Sequence, residues 1–534
     1  MRTADVIAGL SVSGLMLPEA VAYAAIAGLP TQRAVIAAIA GCLAYPLIGR
    51  SRFAIVSPTS SAAAILAATL AAMPAGAADK AVIATAAVLL AGLIFIGAAL
   101  ARIGGLTNLI SRPVLRGFAF GIAVTIIVKQ LPTVAGVSIK VPEIFHLALA
   151  LVQAVGQWNL YSLTAGIIAL ISLLTLKRVP AVPGALIVLA IGVAASYGFD
   201  LAGHGVAMVG TIDVSPSSPR LPQLSFADWS RLLPYVVPLV LILFAESWGT
   251  INGLATAHGD TVTANRELGA LGLANFASAL VQGMPVGAGF SAGSAAESAG
   301  SQSRATGIFA ALGLTTLVVL AATLVAKLPE PVLAAVVIGT LSHALKPAPF
   351  LRLWRLKRDF YVALGAAASV LVFGVMNGML IAVGLSLIAL IRRIASPRLV
   401  QLGRLNGSHD FVDIARHPAA TLPPGTTIWR PAEPLFFANA APILDHIALE
   451  VRGKAAKSVI ISLEETFDLD SSGLDALIAF DAAMIRDGVH VQLARVHDHV
   501  RDVLTSGAAT GLLARSSYSV DDAVSALPPT AGKE

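Results

Sequence analysis

Residues 281–303 read VQGMPVGAGFSAGSAAESAGSQS. The stretch lies in apolar sequence, yet it is built of Gly, Ser and Ala around Pro285. A lipid-facing helix is not made this way, because irregular backbone at membrane depth survives only where protein or a water-filled cavity satisfies its polar groups. The composition predicts a break over 285–289 and a half-helix starting at about residue 290. Its free N–H groups and positive dipole end would face a cavity. A second stretch has the same character: residues 54–61 read AIVSPTSS, then AAAILAATLAAM continues as a helix. Pro58 suits a helix start, and Thr59, Ser60 and Ser61 can cap it or line a site. Two interrupted apolar segments in corresponding places of two halves point to a transport site at a repeat interface. The plainer reading is two loops rich in small residues, but full-length apolar spans flank both.

The chain has 534 residues, 56% of them hydrophobic and 12% charged. Its mean hydropathy is +0.81. That is an integral membrane protein and not a soluble enzyme. The one cysteine, Cys42, excludes an intramolecular disulfide and supports no thiolate metal site. The ten histidines show no ligand spacing, so neither metal nor other cofactor is expected. A net charge of +6 is modest and does not indicate nucleic-acid binding. No nucleophile–base pair emerges, so no enzyme is expected.

A spanning helix needs about 20 mostly apolar residues. Spans are predicted over 5–26, 32–49, 53–73 (broken), 80–101, 106–129, 160–177, 181–197, 232–253, 265–283, 288–302 (broken), 304–326, 330–345, 359–376 and 377–394, with an extra helix outside the membrane over 141–155, started by Pro142. Fourteen spans put both ends on one side. Arg2, Arg50, Arg52, Arg102, Lys177, Arg178, Arg266, Arg304, Arg352, Arg355, Lys357, Arg358, Arg392 and Arg393 then share the side of the termini, against Arg33, Lys80, Lys140, Arg220 and Lys327 opposite. That bias predicts cytoplasmic termini in a cell (inner) membrane.

After Pro397 the long apolar runs stop. Strands are predicted at 426–430, 435–437, 458–463 and 489–494, with helices at 441–451 and 471–484 and one more at the end: a small parallel-sheet α/β domain over 397–534. The membrane part is 1–396, in two repeats of about 1–198 and 230–396.

Several motifs stand in order along the chain: LPEAVAYA at 17–24 with AGLP at 27–30, ISRPVLRGF at 110–118, NREL at 265–268 with GLAN at 272–275, and DSSG at 470–473. Together they resemble the sulfate permease (SulP) family of anion transporters, and the last part resembles the STAS domain. The resemblance implies a polytopic α-helical membrane fold of seven-plus-seven inverted repeats, a core moving against a gate, and a homodimer in membrane lipid. It places a small anion between the half-helices of spans 3 and 10. The chain departs from the family where its tenth span usually has an Arg before a small hydroxyl residue: here stand Ala292 and Gly293. The first-helix signature often has Gln where this chain has Glu19. A fixed positive charge is lost and a carboxyl gained near the expected site.

The expected substrate site comprises Glu19, Tyr23, Ser57, Thr59, Ser60, Glu246, Ser291, Ala292, Gly293 and Ser294. Glu246, in LILFAESWGT, is a carboxylate in lipid-depth sequence, and such residues are costly and functional. The resemblance links that position to proton or sodium coupling. Glu297 is expected to face a vestibule, and Asn265 to Glu267 to cap span 9. Ser471 and Ser472 resemble the phosphorylated site of anti-sigma antagonists, but by position they read as helix caps. The reading is a secondary transporter of a sulfate-like oxyanion, bicarbonate or a carboxylate. An anion channel of the same fold and a membrane sensor signalling through the C-terminal domain are its rivals.

Overall fold

The computed structural model describes residues 3–73, 79–105, 111–139, 141, 143–176, 184–210, 221–357, 359–395 and 399–527. Arg2, Ile110, Lys140, Pro142, Lys177, Arg178, Arg220, Arg358 and the Pro397 boundary lie outside these residues. The chain divides into two compact units, Met1–Leu387 and Ile388–Glu534.

The first unit opens with α1 (Thr3–Ala27), α2 (Thr31–Ile48), β1 (Val56–Pro58) and α3 (Ser60–Ala72), then α4 (Lys80–Leu100), α5 (Arg112–Ala135), α6 (Ile144–Gln153), α7 (Leu160–Leu176) and α8 (Gly184–Gly198). The second half repeats the order: α9 (Phe226–His258), α10 (Ala264–Leu280), β2 (Val286–Ala288), α11 (Phe290–Ser298), α12 (Ala305–Ala326), α13 (Glu330–Leu341), α14 (Ala348–Arg355) and α15 (Phe360–Ala395). Gly374, at φ 78°, breaks α15 into two apolar segments. With that break, the elements supply seven membrane segments per half. Among the described residues five helices are each long and apolar enough to cross a membrane alone: α1, α2, α4, α5 and α9. The short helix expected over 141–155 is α6. Its counterpart α14, in the same place of the second half, falls between the spans predicted at 330–345 and 359–376, where no helix was expected. Leu353 is its buried residue, while Leu351 and Trp354 are exposed beside Arg352 and Arg355.

Packing follows the repeat. α4 lies on α10 and α12 on α2, while α3 meets α9 and α11 meets α1. A second group joins α13 to α5, α7 and α8. Glycine sets the closest approach. A Cβ on Gly92 would stand 2.8 Å from the Phe276 nitrogen, and one on Gly272 2.9 Å from the Ile96 nitrogen, so α4 and α10 touch main chain to main chain. Small residues at such crossings are how helices associate where lipid removes the hydrophobic drive.

The second unit is a mixed sheet. It contains β3 (Leu399–Leu405), β4 (Phe411–Asp413), β5 (Ala420–Thr421), β6 (Thr426–Pro431), α16 (Ala440–Gly453), β7 (Ser458–Ser462), α17 (Ser471–Arg486), β8 (His490–Ala494), α18 (Asp498–Ser506), α19 (Thr510–Ala514), β9 (Ser516–Ser517) and α20 (Val520–Ser525). The order β4-β3-β6-β7-β8-β9 is parallel from β6 onward, as expected, but β3, β4 and β5 add an antiparallel edge that the sequence reading lacked. β7 alternates its sides: Val459 and Ile461 join the core under α16 to α18, and Ile460 faces Val520 and Ala523 of α20.

The expected strand at 435–437 is a loop. The Phe436 N–H donates to Asn439 Oδ1 at 2.9 Å, Asn439 Nδ2 donates to the Pro434 carbonyl at 2.9 Å, and the Phe437 N–H donates to Asp470 Oδ2 at 2.9 Å. Side chains satisfy this backbone, so it needs no ladder. Nor do Ser471 and Ser472 cap α17. Asp470 does, accepting from the Gly473 N–H at 2.7 Å, and both serines lie exposed in the first turn.

Candidate functional site

The two interrupted stretches meet. β1 and β2 pair antiparallel, with Val56 opposite Ala288, Ser57 opposite Gly287 and Pro58 opposite Val286. Each strand runs straight into a helix, capped by Thr59 for α3 and Gly289 for α11. A Cβ on Gly289 would lie 3.5 Å from Thr59 Cγ2, so the two helix N-termini converge. Here the two positive dipole ends share one place.

Three polar residues hold the crossing from outside. Asn275 of α10, fully buried, accepts from the Val286 N–H at 3.0 Å and donates to the Val286 carbonyl at 2.8 Å. Ser247 of α9 accepts from the Ala288 N–H at 2.9 Å. On the β1 side the partners are smaller: Cys42 Sγ donates to the Val56 carbonyl at 3.4 Å, and Pro58, which holds in β1 the place of Ala288 in β2, has no N–H to satisfy. Gly41 and Gly287 allow the close fit, since a Cβ would stand 2.5 Å from the Val56 carbonyl oxygen and 2.8 Å from Ser247 Oγ respectively.

The carboxylates approach from the first helix of each half. Glu19 follows Pro18 in α1 and is 6% exposed, and Ser291 Oγ donates to its Oε1 at 2.7 Å. Glu246 sits mid-way along α9 and takes the Ser61 hydroxyl in a short hydrogen bond, with Thr59 Oγ1 donating at 3.3 Å. The pairing is reciprocal. The acid of the first half holds the serine of the second half's broken helix, and the acid of the second half holds the serine of the first. Counted from the paired strands, Ser61 and Ser291 occupy the same position.

The structure thus brings together Glu19, Tyr23, Thr59, Ser60, Glu246 and Ser291; the Tyr23 hydroxyl is hydrogen-bonded to Ser60. Ser57 is buried within the strand pair. Ser294 is half-buried on α11. Ala292 and Gly293 turn away into packing. Ala292 is buried in the apolar core, and a Cβ on Gly293 would meet Thr250 Cγ2 at 2.9 Å. Ser61, which the sequence offered as a cap or site-lining residue beside Thr59 and Ser60, is the partner of Glu246; Ser247 and Asn275 were absent from the expected site.

Three further acids are structural ties. Glu267 accepts from the Tyr45 hydroxyl at 2.5 Å and from the Arg50 N–H at 3.1 Å, and Asn265 Oδ1 accepts from the Gly104 N–H at 2.7 Å. These residues pin α10 to neighbouring loops and do not cap it; the cap position is Thr263. Glu297 pairs with His258 at 2.8 Å. Asp5 takes the Gln302 and Ser303 N–H groups at 2.8 and 2.9 Å, closing the turn into α12. Among the described residues no group of His, Cys, Asp and Glu could hold a metal ion.

The profile of the sulfate permease family matches residues 3–366, and that of the STAS domain matches residues 417–523. The chain belongs to the sulfate permease family. Its members are anion transporters and not enzymes, and this one is an integral membrane protein with a STAS domain at its C-terminal end. A probable sulfate transporter of Mycobacterium tuberculosis is 34% identical over 512 residues, covering 94% of this chain and 91% of that protein. The fold matches murine solute carrier 26 family member A9, an anion transporter solved in the inward-facing state, with a TM-score of 0.88 at 20% identity, covering 98% of this chain and 91% of that one. It also matches the transmembrane domain of the cyanobacterial bicarbonate transporter BicA, with a TM-score of 0.63 at 20% identity, covering 73% and 98% respectively. This sulfate permease family member therefore shares its fold with both solved transporters.

Proposed function

We propose that this chain is a secondary active transporter of a small anion, held where α3 and α11 converge, and that a proton or sodium ion at Glu246 drives it. The observation that carries this reading is the reciprocal pairing of Glu19 with Ser291 and of Glu246 with Ser61. Helix N-termini and hydroxyl donors make an anion site. In this arrangement two carboxylates of the protein already use the donors of that site. An incoming anion has to take those hydroxyls over, and the displaced carboxylate then stands unpaired beside it. Neutralising Glu246 with a proton or a cation removes that repulsion, so anion and coupling ion bind with mutual reinforcement. Glu19 acts on affinity through Ser291. With no Arg at Ala292 or Gly293, the dipole ends and hydroxyls supply the whole attraction.

The substrate class is a sulfate-like oxyanion, bicarbonate or a carboxylate. The names of the relatives favour the first two. By the basic-residue bias both termini are cytoplasmic and the chain resides in a cell membrane. A homodimer is the expected assembly, with the membrane part over 1–396 transporting and the region from 397 onward regulating. Ser471 and Ser472, exposed on α17, are the positions for regulatory phosphorylation.

Uptake by the purified protein in liposomes tests this reading, with labelled sulfate, bicarbonate and small carboxylates at two pH values and with or without sodium. Saturable flux of one class that accumulates against its gradient is the expected result. Non-saturable flux that only runs downhill establishes the channel instead, and binding without flux establishes the sensor.

A further inference from the structure

A cavity of about 750 Å³ lies away from the crossing, between the end of α5, α6, the start of α7, the 205–207 loop and the start of α13. No residue of β1, β2, α3 or α11 lines it. Its walls carry Lys129, Ser162 and Glu330, three polar groups the transport site does not use. The Lys129 ammonium and Glu330 carboxylate have opposite charges, yet among the described residues neither has a charged partner. They line one cavity without closing on each other, their charged atoms lying more than 4.0 Å apart.

Ser162 supplies an independent sign. It is completely buried, and among the described residues its hydroxyl has no hydrogen-bond partner. A helical serine or threonine ordinarily returns its hydroxyl to a carbonyl one turn back. Thr164 does so, donating to Leu160 and Tyr161 at 2.8 and 3.1 Å. Ser162 does not; the residue lines the cavity, with its Oγ against Gly136. An orphaned buried hydroxyl costs stability unless a ligand or water completes it.

The frame fixes Ser162 and the backbone of Glu330, while the Lys129 side chain is exposed. Gly136 has φ +69°, and a Cβ there would lie 2.7 Å from Ser162 Oγ. Glu330 donates its N–H to the Ala207 carbonyl at 2.9 Å, and the Val209 N–H donates to Leu328 at 3.0 Å, clasping the 205–210 loop to the α12–α13 turn. A lysine near a helix end often reaches up to the lipid headgroups. That account leaves the unpaired carboxylate and hydroxyl beside it unexplained.

A cavity that offers a cation and a hydroxyl donor at one place and a carboxylate at another is matched by a ligand with both signs. We propose that it binds a small zwitterion: an anionic oxygen group on Lys129 and Ser162, and an ammonium on Glu330. The volume suits an amino acid or an aminosulfonate. The same chemistry is presented by the headgroup of phosphatidylethanolamine. This site is separate from the transport reading and stands or falls without it.

Calorimetric titration of the purified full-length protein with taurine and with phosphoethanolamine tests the free-ligand source. Acetate and methylammonium, each carrying one charge, are the controls. Mass spectrometry of lipid retained from mixed phosphatidylethanolamine and phosphatidylcholine nanodiscs tests the lipid source. The expected result is saturable binding of a zwitterion, or selective retention of phosphatidylethanolamine, weakened about ten-fold or more by either Lys129→Gln or Glu330→Gln, as removal of a charged partner requires. Ser162→Ala weakens it less. Each variant is first checked for an unchanged melting temperature, and the exchanged pair Lys129→Glu with Glu330→Lys serves where a single variant does not fold. Acetate binding as tightly as taurine, zwitterion binding untouched by both charge variants, or no binding in either arm overturns the proposal.

Discussion

Glu246 and Asn275 show two different uses of a buried polar side chain. Asn275 completes both main-chain groups of Val286 and so serves the backbone alone. Asn275→Ala leaves a buried N–H and carbonyl unpaired, at about 1–3 kcal/mol each. It is expected to lower the thermal unfolding temperature in detergent by several degrees, and Asn275→Asp to restore only one of the two bonds. Glu246 holds hydroxyls that a substrate would need. Glu246→Gln keeps the size and the hydrogen-bonding capacity but cannot take up a charge. The expected outcome is anion exchange across liposomes at near wild-type rate, with accumulation driven by an imposed proton or sodium gradient abolished. Glu246→Ala is worse in both respects because it also leaves a gap. Glu19→Gln changes apparent affinity more than it changes the pH profile. Accumulation by Glu246→Gln equal to that of the wild type would move the coupling role to Glu19. At this scale the sequence displayed its acids well, because a carboxylate in an apolar run is conspicuous. It concealed the partners. Nothing in AESWGT says that Ser247 reaches the Ala288 N–H, since that bond joins residues 41 positions apart. Ala292 and Gly293 drew attention as absent charges, whereas their small size is what lets α11 pack against Thr250.

At the scale of elements, the broken spans were legible because lipid permits so few ways to build one. Proline and a run of small polar residues inside apolar sequence admit little else. Which elements pair was not legible. Three residues of β1 find three of β2 across more than 200 positions, and no local pattern encodes that register. The same limit hid β3, β4 and β5, whose short antiparallel pairings depend on each other and not on periodicity. It also produced the false strand at 435–437, where apolar Leu, Phe and Phe suggested a ladder while Asn439 and Asp470 were already serving the backbone. The strand pair carries its own prediction. Gly287→Ala pushes Ser247 off the Ala288 N–H and crowds Leu243, with a Cβ 2.8 Å from the one and 2.9 Å from the other. Overpacking of this kind costs about 1–3 kcal/mol. Anion binding is expected to weaken together with stability, measured by titration and by thermal melts. Ser57→Ala, which leaves the register untouched, should change stability little; if it is the more damaging of the two, the crossing is not held as described.

For the whole molecule, the order of fourteen segments could be read almost directly, since each span must repeat the same length of apolar sequence. The proposed sidedness rests on the charge bias and can be measured. In a Cys42→Ala background, Ala202→Cys in the exposed loop after α8 should react with an impermeant thiol reagent in intact cells, and Ser506→Cys should not. Equal labelling of both would end that topology. The C-terminal unit has apolar packing on both faces of its own sheet, so residues 399–527 expressed alone are expected to unfold cooperatively, and the chain cut after Pro397 to retain anion binding. The paired strands have one more consequence, for how such a protein must move. Because β1 is fastened to β2 by main-chain bonds, and each acid grips the opposite half, neither half-helix can swing aside to let an ion past without tearing a seam that lipid would punish. If the anion sits where we propose, its berth is rigid cargo. It has to be carried whole, like a passenger compartment, past whatever part of the protein stays still in the membrane.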